Sequence, residues 1–139
     1  MRALAKLTAI MFVVFLIGAC AGAPTWKGMS ETEIAAWTQI GVGAGDAQTF
    51  TKAGLSTTDV EAWYAAGIKA SKDILDWHKK GFAAEEAGGW VKGQFSLEDA
   101  LDWKKKEFTS EEAGKWKAAG FKLNEAVKNR EKGLQPIQK

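Results

Sequence analysis

Residues 73–98 read DILDWHKKGFAAEEAGGWVKGQFSLE, and residues 99–124 read DALDWKKKEFTSEEAGKWKAAGFKLN. The two stretches agree at 14 of 26 positions, with LDW at Leu75–Trp77 and Leu101–Trp103 and EEAG at Glu85–Gly88 and Glu111–Gly114. A block that copies itself head to tail is the signature of a repeat architecture. Working outward, the aromatic positions Trp37, Phe50, Trp63, Trp77, Trp90, Trp103 and Trp116 fall 13 apart, with a single spacing of 14 between Trp63 and Trp77. The next slot holds Asn129, where the pattern decays, and Trp26 alone is out of phase.

Other columns keep this phase, and each has a physical reason. Four residues before each aromatic stands an acid: Glu33, Asp46, Asp59, Asp73, Glu86, Asp99, Glu112, and Glu125 before Asn129. Ser30, Ser56, Ser96 and Thr109 lie three before their acids, the spacing of a capping box, which puts the acid in a first helical turn where the dipole favours it. Three before each aromatic is a small or aliphatic residue, on the same helical face. Four after is Gly41, Gly54, Gly67, Gly81, Gly120 and Gly133, with Gln94 and Glu107 as exceptions. A glycine there suits the left-handed residue that ends a helix. Five after is always apolar, from Val42 to Leu134, which suits the contact that accompanies such an ending.

The fold expected is all-α: an array of about eight short helices in tandem 13-residue units, paired as 26-residue repeats, forming an α-solenoid or a compact bundle. Each helix is too short to persist alone. A buried Trp removes about 150–250 Å² from water, an upper bound of about 4–6 kcal/mol at ~25 cal/mol per Å². The seven column aromatics are therefore read as the repeat core and the six glycines as helix caps. Gly88, Gly89 and Gly114 lie inside expected helices, where they cost stability; a close helix–helix approach is the reading given to them. The column pattern resembles a Trp/Gly-phased short helical repeat of bacterial proteins, a resemblance that brings no activity with it.

The N-terminus is of another kind. Met1 to Lys6 is short and basic, and Leu7 to Ala19 is almost wholly apolar, the pattern of a signal peptide and short for a spanning helix. Ile17-Gly18-Ala19 then precedes Cys20, the sole cysteine. This resembles the lipobox of bacterial lipoproteins, although Leu is commoner where Ile17 stands. The resemblance implies lipid attachment to Cys20 with cleavage before it, and membrane anchoring through the acyl chains. Ala21 follows rather than Asp, which favours the outer membrane where the cell has one. An uncleaved anchor and plain secretion are the alternatives. The organisation expected is a signal peptide over 1–19, an acylated cysteine and tether over 20–28, a repeat domain over 29–134 and a frayed tail over 135–139.

Composition narrows the function. The formal charge is +2, but Arg2 and Lys6 lie in the targeting segment; removing them from 19 basic residues leaves 17 against 17 acids. A neutral chain has no overall field to gather nucleic acid, and no such partner is expected. His78 is the sole histidine and no metal-ligand spacing is present, so neither a metal nor any cofactor beyond the lipid on Cys20 is expected. His78 is read as a surface position in a column that elsewhere holds Lys104 and Lys117. No Gly-rich phosphate loop or nucleophile elbow occurs, and the acid column is explained by helix starts; no enzyme is expected. Two readings remain. The first is an envelope scaffold, held to a membrane by its lipid, that binds an envelope protein. The second is a peptidoglycan-binding module that stacks sugar rings on exposed Trp faces. Trp26 is read either as an N-terminal cap or as a residue at the lipid interface.

Overall fold

The computed structural model describes residues 24–137, which form eight α-helices with no strand among the described residues. They are α1 (Glu31–Gln39), α2 (Ala44–Lys52), α3 (Thr57–Ala65), α4 (Ser71–Lys79), α5 (Ala84–Lys92), α6 (Leu97–Lys105), α7 (Ser110–Ala118) and α8 (Leu123–Glu131), each of nine residues. Four residues separate successive helices, except for five between α3 and α4, where the 14-residue spacing falls. The signal peptide, the lipobox and Cys20 expected within residues 1–23 lie outside the described residues.

All eight helices end in the same way, and four of them begin with a Ser or Thr cap, whereas α2, α4 and α5 begin at Gly43, Ala70 and Ala83 without a side-chain cap. Ser30, Ser56, Ser96 and Thr109 accept a hydrogen bond from the backbone N–H three residues on. Carboxylates reach back to the cap N–H: Glu33 to Ser30 at 2.8 Å, Asp59 to Ser56 at 2.8 Å and Glu112 to Thr109 at 2.9 Å. At the other end the aromatic carbonyl accepts from the N–H five residues later, as from Val42 to Trp37 (2.9 Å) and Phe95 to Trp90 (3.0 Å), while the intervening left-handed residue donates three back. This paired pattern is the Schellman ending, and it recurs after all eight helices. It brings the residue five after each Trp against the indole. The Trp77–Phe82, Trp90–Phe95, Trp103–Phe108 and Trp116–Phe121 rings meet edge-to-face, with centroids 4.8–5.3 Å apart.

The helices stack in two rows, because helices pack on the one two away as well as on a neighbour, as α5 does on α3, α7 and α4. In the odd row α5 lies between α3 and α7. A Cβ on Gly88 would stand 2.9 Å from both Cβ and the carbonyl oxygen of Ala66, at the end of α3; one on Gly89 would stand 2.5 Å from the hydroxyl of Ser110, at the start of α7. In the even row the Ser71 hydroxyl of α4 donates to Asp46 of α2 at 2.8 Å. Gly114 differs from the reading above: a Cβ there would meet nothing within 4 Å.

Candidate functional site

The aromatic column lies inside the array. Trp37, Trp63, Trp77, Trp90, Trp103 and Trp116 are 1–6% exposed and Phe50 is 0% exposed. Beneath them Ala47, Val60, Ile74, Ala87, Ala100, Ala113 and Ala126 are fully enclosed. The indole N–H of Trp90 is buried with no hydrogen-bond partner. Among the described residues, therefore, the in-phase Trp rings form no open strip. Trp26 is half-buried and packs against the same core.

The glycine column takes the conformation that glycine tolerates. Gly41, Gly54, Gly67, Gly81, Gly120 and Gly133 have φ between 73° and 90°. Gln94 and Glu107 hold the same region at φ 58° and 59° despite their side chains.

The column one after the aromatic is where the structure departs most from the sequence reading. His78, Lys104 and Lys117 do not simply face solvent. The Lys117 ammonium lies 4.4 Å over the ring of Phe95 and donates to the carbonyl of Gln94 at 2.7 Å. Arg130, in the same column, lies 3.8 Å over Phe108 and donates to the carbonyls of Glu107 (3.1 Å) and Lys106. Lys104 sits 4.4 Å over Phe82 and pairs with Glu86 at 2.6 Å. His78 Nε2 lies 3.1 Å from the carbonyl of Ala53, a contact that requires the proton on Nε2. His78, Lys117 and Arg130 thus close the turn two helices upstream through its carbonyls, where the C-terminus of a helix favours the Lys117 and Arg130 cations, while Lys104 covers the Phe82 ring beside the equivalent turn.

The acid column is likewise engaged at helix starts. Hydrogen bonds from the backbone and hydroxyl of Ser30 hold the Glu33 carboxyl below its ordinary range, and those from the hydroxyl and backbone of Ser56 do the same for Asp59. No group of three or more His, Cys, Asp and Glu side chains among the described residues could hold a metal ion.

What remains exposed is a regular polar surface with recesses. One, of about 300 Å³, is lined by Asp99, Asp102, Trp103, Lys117, Phe121 and Lys122 between the starts of α6 and α8. Another, of about 390 Å³, lies between the starts of α1 and α3 and is lined by Glu33, Ala36, Trp37, Thr51, Leu55 and Ser56. The two occupy the same repeat columns at opposite ends of the array. A third, of about 290 Å³, lies beside α2 and is lined by Lys27, Gly28, Met29, Gln48, Thr51 and Lys52. No described helix is long and apolar enough to cross a membrane. No protein-family model, curated protein or solved structure matches the chain.

Proposed function

We propose that the protein is a lipid-anchored, non-catalytic scaffold of the cell envelope whose helical array binds another protein. The observation that carries this reading is the recurrence of one recess, built from the same repeat columns, at the α1–α3 and α6–α8 positions. Stacked repeats commonly offer a long surface on which a partner is read at regular intervals. The anchor is supplied by Ile17-Gly18-Ala19-Cys20. The peptidoglycan reading requires indole faces open to sugar rings, and the repeat-phase indoles are enclosed.

Photo-crosslinking from native membranes tests the proposal. A photoreactive residue in place of Ala36, and separately of Asp102, should capture one and the same envelope protein from the two recesses. Capture of lipid or glycan alone at both positions overturns the reading.

A further inference from the structure

The segment before α1 is fastened down. The side-chain amide of Gln48 donates to the carbonyl of Thr25, and Pro24 lies 3.2 Å from where a Cβ on Gly45 would stand. Trp26 is half-buried against the core, and its carbonyl accepts from Met29 at 3.1 Å around Gly28, whose φ is 85°. The stretch assigned to a tether is thus docked from its described beginning. Only four chain steps separate Cys20 from Pro24, which reach ~14 Å when fully extended.

A leash that short fixes which end of the array meets the bilayer. With acyl chains on Cys20, a premise shared with the proposed function, the α1–α2 end stays next to the headgroup layer. The Lys27–Lys52 recess lies at that end. Its two lysines are exposed and its Met29 is half-buried, so ammonium groups stand beside an apolar floor. That combination matches a phospholipid phosphate with the root of its acyl chains below. The acids of this end are Glu31 and Glu33 of α1 and Asp46 of α2, and the hydrogen bonds from Ser30 leave Glu33 charged, so the attraction to phosphate is local to the Lys27–Lys52 recess rather than a net positive field. Trp26, the one indole out of the repeat phase, is amphipathic and sits where interfacial Trp residues are favoured.

We infer that the α1–α2 end is a bilayer-contact surface. Lys27 and Lys52 receive headgroup phosphates, Trp26 lies at the interface, and the array projects from the membrane with α8 outward.

The processed, acylated protein in phosphatidylcholine–phosphatidylglycerol vesicles carrying brominated acyl chains tests this, because bromine quenches only nearby indoles. Partial quenching is expected, and Trp26→Phe should abolish it. A Lys27→Gln/Lys52→Gln double variant should reduce it about twofold, as lost attraction to an anionic leaflet implies. Vesicle-bound protein with unquenched emission, quenching that survives Trp26→Phe, or quenching indifferent to both lysines overturns the inference. A protein that carries no acyl chain and ignores vesicles overturns the anchoring premise itself.

Discussion

The guanidinium of Arg130 lies 3.8 Å over the ring of Phe108 and also donates to the carbonyl of Glu107, a residue held at φ 59°. The contact joins the end of α8 to the turn after α6, at a place where the repeat has lost its glycine. Removing it leaves a left-handed residue unsupported. Arg130→Ala should cost about 1–2 kcal/mol, the sum of a modest cation–π contact and hydrogen bonds to the carbonyls of Glu107 and Lys106 at an exposed site. Arg130→Lys should retain part of this. Urea unfolding of the three proteins checks the order; equal midpoints would leave the contact without energetic weight.

Trp90 is the largest side chain to be fully buried, and truncating it should be severe. Trp90→Ala is expected to cost about 3–5 kcal/mol. Because its indole N–H has no partner, Trp90→Phe loses volume but no hydrogen bond and should cost distinctly less. A loss below about 1 kcal/mol for Trp90→Ala contradicts the core role of the aromatic column.

Two glycines on equivalent sides of α5 and α7 should respond in opposite directions. At Gly88 a methyl group would press on Ala66 at 2.9 Å, part of it backbone, so Gly88→Ala should destabilise by about 1–3 kcal/mol. At Gly114 the space is open, and Gly114→Ala should stabilise by about 0.5–1 kcal/mol through helix propensity alone. Thermal unfolding by circular dichroism distinguishes them; a gain at Gly88 would mean that the odd row is looser than described.

Acid should loosen the helix starts. The Glu33 and Asp59 carboxyls sit below their unfolded range because hydrogen bonds from Ser30 and Ser56 favour the charged form. A lowered folded value adds stability above the unfolded value, and that stability is lost as pH falls through the folded one. The loss should therefore appear below about pH 4. Asp59→Asn should flatten this limb, while stability near neutrality changes little in pH dependence. Melting temperatures measured from neutrality down to strong acid provide the check.

The helix phase was legible because nearly every signal in a unit is local. The cap serine, the acid three on, the aromatic and its closing glycine lie within twelve residues, as from Ser30 to Gly41. The two-row stacking showed only as a hint, in the better match of the 73–98 and 99–124 blocks than of adjacent units. The column of His78, Lys104, Lys117 and Arg130 was not legible as a set of struts. His78, Lys117 and Arg130 reach backbone carbonyls 23–25 residues upstream, and a carbonyl leaves no mark in the sequence. Gly114 was misread for a related reason, since the open space beside it is set by packing between helices, which leaves no mark in the sequence. Lys104 and Lys117 therefore make poor probes of partner binding, because changing either disturbs a turn.

The side-chain hydrogen bonds described above span no more than 25 residues, so each helix answers only to near neighbours. A lineage could copy or delete a 26-residue block within the gene, and the new junction would find the same turn, the same ring and the same upstream carbonyl waiting. Array length is then free to drift among descendants in steps of two helices, and a longer version would set the two ends of the array farther apart without any change to either end.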